Sequence, residues 1–560
     1  MKLGECVEDV GRRAMEQLRA LRSQPGSVLV ASLSTLLVTL IIVYVVQARQ
    51  QRKRLPPGPR PWPLLGNLPH LGTQPHQALS SLAAEYGGLM FIRMGSRPCI
   101  VVSNTAVAKE LFRTNDTVFA SRPLRLAGKI YSGGKNVATT PYGPYWRELR
   151  KVFATELFSN RRHASHQKGR TEEIHYMMKL LLQSSKQDAD VNLKTWLYGV
   201  ASNNMTRMLV NKRYYGDGVT SNEQGRKDIE EMVTRIFLMF SQPVISDFVP
   251  WLSFVPKLQG TEAQFQDVRA FTYTVTDKLI DKQKHRSRAE EREQQPEPDY
   301  VPDFIDVLME TKLENGQHIP DQDLNVLFMD IMSGGTETTS TSLEWAMAEL
   351  MNHPEVMKQA QEEIDAVVGS DRVVEEADIA NLPFLQAIVK EVFRLHPAIP
   401  LSLPRVSTQA TELLGYQLPN ETELIINIFA IHRDPAVYEA PESFNPARFM
   451  GKHADVTPTS GFDHYELIPF SAGRRMCPAY NLGTVMINLV LAHLLHSFDW
   501  SLPAGESLDM AETFGMSMQK TIPLRLVAHP KAPAFFFDIL CSSTVILFER
   551  KILEACEDLG

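Results

Sequence analysis

Cysteine is scarce in this chain. There are five among 560 residues, Cys6, Cys99, Cys477, Cys541 and Cys556, with no C-x-x-C pair. That excludes the paired ligands of a zinc module and the thioredoxin-type redox motif. An odd, widely spaced set also argues against a disulfide framework and for a reducing compartment. Positive charge is in deficit, 58 Lys and Arg against 65 Asp and Glu, for a net charge of −7, so nothing points to nucleic acid. No internal repeat is present, and only one apolar run is of membrane length. What remains, 44% hydrophobic and 22% charged, is an ordinary globular composition on a chain long enough for a large core.

The one long apolar run covers residues 27–48, SVLVASLSTLLVTLIIVYVVQA, without a charge. A bilayer-spanning helix needs about 20 such residues. The run is too long for a signal peptide, and no small-residue cleavage site follows it. Arg49, Arg52, Lys53 and Arg54 flank its C-terminal side, whereas acidic and basic residues nearly balance before it. The positive-inside rule therefore predicts a single-pass anchor with the body in the cytosol. Residues 55–63, LPPGPRPWP, read as a stiff connector. The predicted organisation is a tail over 1–26, an anchor over 27–48, a basic and proline-rich hinge over 49–66, a body over 67–529 and an extension over 530–560. Strand-like runs at Leu89–Met94 and residues 99–103 precede long helical patterns, the longest apolar one at Asp321–Asn352. The charged, proline-bearing stretch from about 285 to 303 reads as an exposed loop.

Chemistry concentrates in residues 469–478, PFSAGRRMCP, which hold F-x-x-G-x-R-x-C as Phe470, Gly473, Arg475 and Cys477. A metal-bound thiolate needs a tight turn, shielding from water and donors to its sulfur. Gly473 permits the turn, Phe470 can exclude water, and backbone N–H groups beyond Cys477 can reach the sulfur. The apolar helical run 480–496 aims its N-terminal dipole at the thiolate. A lone cysteine before a helix is more often a buried structural one; the eight-residue pattern reverses that judgement. Residues 334–339, GGTETT, put two glycines and three threonines inside the long helix, at a cost in helix stability. A buried carboxylate, Glu337, beside the Thr338 hydroxyl is hard to explain by packing. Glu391 and Arg394 lie i, i+3 on one helix face and can pair, a weak signal alone. Residues 444–449, FNPARF, carry Arg448. Trp146 and Arg150 are one turn apart, so both can reach one anion.

This ordered set, spanning about residues 55–529, resembles the cytochromes P450. The resemblance implies a mainly α fold with small β-sheets, here behind a single N-terminal transmembrane helix, and haem b as cofactor. It implies Cys477 as the iron ligand, with Phe470 and Gly473 shaping its loop. It implies Trp146, Arg150, Arg405 and Arg475 as partners of the haem propionates. Glu337 and Thr338 would deliver protons where the helix opens over the haem, and Glu391, Arg394 and Arg448 would form a structural triad. The chain departs from the family's usual pattern at Ser471 and Ala479, where glycine is common. The hinge, residues 403–407 (LPRVS) and residues 432–435 (HRDP) are similar to the plant microsomal A-type clan, nearest to its flavonoid and phenylpropanoid hydroxylases.

The implied activity is hydroxylation of a small lipophilic or aromatic metabolite with O2 and electrons from NADPH-cytochrome P450 reductase, at the endoplasmic reticulum membrane. Arg147, Lys151 and Arg474 are candidate basic contacts for that reductase. Substrate-facing segments are expected at residues 119–135, 236–253, 330–334 and 398–403 and around Phe514. Three alternatives stay open. An oxime-forming amino-acid N-hydroxylase of the same fold usually replaces the threonine present here as Thr338. A peroxide-rearranging relative lacks the Glu337–Thr338 pair. A non-enzymatic haem sensor would need the thiolate but no proton relay. Oxygen-dependent NADPH consumption separates a monooxygenase from the last two.

Overall fold

Three helices that are buried nearly all round make the core, as helices without a polar face must. They are Leu193–Val210, Asp321–Asn352 and Tyr480–Ser497. These come from a computed structural model that describes residues 54–186, 190–216, 223–294, 300–458 and 464–531. The predicted anchor at 27–48, most of its basic flank and the extension beyond 531 lie outside the described residues. Among the described residues, no helix is long and apolar enough to cross a membrane.

The central helix, Asp321–Asn352, has 32 residues and runs about 48 Å at 1.5 Å per residue. It lies along Leu193–Val210 and against Tyr480–Ser497. A Cβ at Gly335 would collide with the Met205 sulfur, so this glycine lets the first two helices approach closely. Pro383–Leu395, which carries Glu391 and Arg394, packs on both the central helix and Tyr480–Ser497.

The sheets are small and sit to one side. Leu89–Met94 pairs antiparallel with Arg97–Val102, which pairs parallel with Glu423–Ile426, which pairs antiparallel with Arg405–Val406. This order places Arg405 opposite Leu424, at the edge nearest the Cys477 loop. Val191–Asn192, Arg525–Pro530 and Phe498–Ser501 form a three-stranded sheet, and Glu512–Phe514 with Met518–Lys520 a hairpin against the central helix.

Two predictions are corrected. The stiff connector read at residues 55–63 is bonded to the body from Pro57 onward rather than standing between it and the anchor. Phe91 N–H donates to the Pro57 carbonyl at 2.8 Å, Asn67 N–H to Arg93 at 2.6 Å, and Gly95 N–H to Leu65 at 3.2 Å. Residues 57–66 thus belong to the sheet edge, because proline still offers its carbonyl as an acceptor. The second concerns residues 285–303. Lys282–Gln294 is a helix, built mostly from the good helix formers Lys, Gln, Arg, Ala and Glu, with His285 and Ser287 among them. His285 and Asp303 are buried. His285 Nδ1 lies 2.7 Å from the Asp306 carboxylate, which also accepts from the Tyr300 hydroxyl at 2.6 Å.

Candidate active site around the Cys477 loop

The loop that carries Cys477 is set by backbone bonds. Ser471 N–H donates to the Ile468 carbonyl at 2.9 Å and Cys477 N–H to the Phe470 carbonyl at 3.0 Å. Gly473 has φ 68°, and a Cβ there would collide with the Asp116 carboxylate and the Phe112 ring. Glycine is therefore required twice over. The loop's entry is fixed by buried His432. Ile468 N–H donates to its Nε2 at 2.8 Å, so Nδ1 carries the proton and donates to the Phe393 carbonyl at 3.1 Å. Burial first, then Arg394 and Arg433, hold this imidazole down at about 3. Phe470 packs edge-on to Phe393, with ring centres 5.5 Å apart. Cys477 itself is half-buried. Burial pushes its thiol up, while the Ala479 N–H and the Arg150 charge pull it down.

Four arginines gather beside this loop. Arg475 stacks over the Trp146 ring at 3.9 Å and donates to the carbonyls of Ala120 (2.6 Å), Val137 (3.3 Å) and Thr140 (2.7 Å). Arg122 donates to the carbonyls of Ala138, Leu403 and Pro404. Arg405 is 1% exposed and donates through Nη2 to Ser471 Oγ at 3.1 Å and the Ala472 carbonyl at 2.7 Å; its Nε finds no partner. Arg150 sits near enough to Cys477 and Tyr480 to feel both. Burial and the neighbouring charges of Arg405 and Arg150 push Arg475 down, and burial, Arg405 and Arg475 do the same to Arg122. Among the described residues, the carboxylate that pairs with this group is Asp116, 3.6 Å from Arg405. Buried cations in such excess are stable only with further anions.

Trp146 and Arg150 do not share an acceptor here. The indole N–H donates to the Val137 carbonyl at 3.0 Å, and Arg475, not Arg150, lies on the ring. A buried N–H must take the nearest acceptor, and the Val137 carbonyl supplies it. That peptide is itself held from the other side. Asp330 on the central helix accepts from Val137 N–H at 2.7 Å, Ala138 N–H at 3.2 Å and Asn136 Nδ2 at 2.9 Å. Burial raises the Asp330 carboxyl to about 6 against the pull of these donors.

The central helix does not open at GGTETT; it is continuous from Asp321 to Asn352. The Thr338 hydroxyl donates to the Gly334 carbonyl at 2.7 Å, one turn back, which satisfies it without a break. Glu337 points elsewhere. It accepts from Gln519, Thr341 and Ser517, and Gln519 in turn accepts from Lys194 Nζ at 2.8 Å. Burial raises the Glu337 carboxyl, opposed first by Lys194. Glu391, Arg394 and Arg448 meet: Arg394 forks onto both Glu391 oxygens at 2.8 Å, and Arg448 Nε reaches Oε1 at 3.0 Å.

The cytochrome P450 family model matches residues 56–527. The chain belongs to the cytochrome P450 family. It is thus a haem b monooxygenase. A flavonoid 3',5'-hydroxylase of Campanula medium is 35% identical over 90% of this chain and 97% of its own length. A flavonoid 3'-monooxygenase of Petunia hybrida is 36% identical over 89% and 98%. Among solved structures, a zebra fish cytochrome P450 with progesterone aligns with TM-score 0.66 at 24% identity, over 82% of this chain and 99% of that one, and shares the fold.

Haem b carries two propionates, and the residues of this P450 fit it. The excess of buried and half-buried guanidiniums, with the orphaned Arg405 Nε, is the environment two carboxylates need. Arg122, Asp116 and the Lys194–Gln519 pair were not singled out from the sequence. Each joins the site through a partner far along the chain, such as Asp116 to Arg474 across 358 residues, and no local pattern marks them.

Proposed function

We propose that this P450 hydroxylates a flat phenolic metabolite of the flavonoid class, drawing electrons from NADPH-cytochrome P450 reductase at the endoplasmic reticulum membrane. The observation that carries the site reading is the cluster of four buried and half-buried arginines around the Cys477 loop. In it Cys477 binds the iron, the Ala479 N–H tempers the sulfur, and Phe470 keeps water from it. Arg150, Arg405 and Arg475, with Trp146 beneath Arg475, hold the propionates; Gly473 gives the loop its turn. When bound, the haem would supply reductive activation of O2, with one oxygen atom inserted into a C–H bond and the other leaving as water. The chain's own residues move the protons. Thr338 has a hydroxyl that can leave the Gly334 carbonyl to hold a water, and Glu337 links to the surface through Gln519 and Lys194.

The phenolic reading draws on the named activities of the two plant relatives and on the pocket's expected walls. Ile236, Met239 and Ile331 are apolar, and the Tyr131 hydroxyl is buried without a partner. An apolar slot with a few polar groups suits a polyphenol. Membrane attachment through residues 27–48 is supported by a bare apolar surface on the body. Trp62 and Leu64 project near the Gly95–Ser96 turn, which also bonds Phe248. Trp251, Phe254 and Leu258 continue from there, with Leu258 79% exposed. In this organisation residues 49–66 are the hinge, its last ten residues bonded to the sheet edge, the body runs from 67 to 529, and 530–560 extend it.

The test uses the full chain in vesicles with reductase, NADPH and O2. Hydroxylated product from a flavanone or flavone is expected, as is loss of the red-shifted carbonyl band of the reduced protein in Cys477→Ser. NADPH consumption without product from any phenolic would remove the substrate reading. A normal carbonyl band in Cys477→Ser would remove the site reading.

A further inference from the structure

Ser471 occupies a conformation that serine avoids. Its φ is 60°, in the left-handed region where any Cβ crowds the following carbonyl and where glycine sits without penalty. A strained residue persists only where its surroundings hold it. Here the side chain does something glycine could not. Ser471 Oγ accepts from Arg405 Nη2 at 3.1 Å, and the same nitrogen donates to the next residue's carbonyl, Ala472, at 2.7 Å. The loop thus grips one corner of the guanidinium with two acceptors from successive residues. The Phe112 ring lies 5.1 Å beneath it, and Asp116 stands 3.6 Å from Nη1. Nε alone is buried without an acceptor. A guanidinium held at Nη2, over the Phe112 ring and beside Asp116 presents its Nε–H in a set direction.

We propose that Ser471 is a positioning residue: its hydroxyl fixes the rotation of Arg405 so that the unpartnered Nε–H faces the acidic side chain of the cofactor. The strained backbone and the Arg405 contact form one device, in which the turn puts Oγ where only a left-handed residue can put it. This rests on the reading of Arg405 as a propionate partner. Arg474 does not share the role; its backbone N–H and Nε go to Asp116 and Thr117 on the outer side of the loop.

Two substitutions separate strain from grip. Ser471→Gly relieves the backbone and removes the hydroxyl; Ser471→Ala keeps the strain and removes the hydroxyl. Purified holoprotein of each is mixed with excess apomyoglobin, and the rate of haem release is read from the Soret band. Both variants are expected to release haem about fivefold faster, the change that loss of one hydrogen bond brings. Only Ser471→Ala should also melt at a lower temperature. Arg405→Lys tests the underlying reading, and Ser471→Gly in that background should change release no further. If Arg405→Lys releases haem at the wild-type rate, the reading of Arg405 fails. If Arg405→Lys speeds release but Ser471→Gly does not, or does so equally in the Arg405→Lys background, the positioning role is overturned.

Discussion

His432 shows how one buried side chain can set both a loop and an acid limit. Its ring accepts from Ile468 and donates to Phe393, which ties the approach of the Cys477 loop to the helix of Glu391. That arrangement needs the neutral ring, because a protonated Nε2 cannot accept. The folded value of about 3 lies below the unfolded value near 6.5, so the unfolded state binds the extra proton first. The stability His432 contributes is complete above about pH 6.5 and is lost as pH falls toward 3. We expect His432→Gln, which can make both bonds without titrating, to lose stability less steeply than wild type across that window. Urea unfolding at stepped pH measures it, and parallel slopes would remove His432 from the account. At this scale the sequence was most legible where the pattern is local. Cys477 and Gly473 announce themselves within a few residues, whereas the Glu391–Arg394 spacing gains weight only beside the other motifs. Arg122 does not, because its acceptors are backbone carbonyls any sequence would offer, one 16 residues on at Ala138 and two more than 280 residues on at Leu403 and Pro404.

The central helix was legible as an element from its apolar length, and its ends fall where the pattern placed them, at Asp321 and Asn352. The behaviour at its middle was not, since a hydroxyl can bridge to its own helix as easily as open it. Removing the Thr338 hydroxyl leaves a better helix former, so the fold and haem spectrum should survive Thr338→Ala. The ratio of hydroxylated product to NADPH consumed should fall severalfold, with peroxide rising; an unchanged ratio would show that another group delivers the protons. About two turns earlier, Asp330 ties the helix to residues 136–138. Asp330→Asn sets its amide against that of Asn136 and should cost about 1–3 kcal/mol in holoprotein stability. Adding Asn136→Asp exchanges donor and acceptor and should restore most of it. A double variant no more stable than the single would mean that the bonds at Asp330 do not hold the loop.

Across the whole molecule, long helical patterns and short strand-like runs were legible one by one, and the fold class came with the family resemblance, which rests on five separated motifs. The surface was harder, because charge is a poor guide to which helices pack. Lys282–Gln294 is the clearest case. Its attachments among the described residues are mostly ionic: Lys282 to Asp277 at 2.8 Å, Arg286 to Asp321 at 2.6 Å and Arg288 to Asp303 at 3.3 Å, around the single buried ring of His285.

Such an element has a different clock from the rest of the protein. The core helices release their amide protons only when the whole body opens, whereas a segment with almost no apolar contact opens alone. Its opening should also respond to salt, since screening contracts from about 10 Å at 0.1 M to about 3 Å at 1 M. In deuterium exchange, peptides from 282–294 should label first among the described helices and faster still in 1 M salt, with the Leu193–Val210 peptides unmoved.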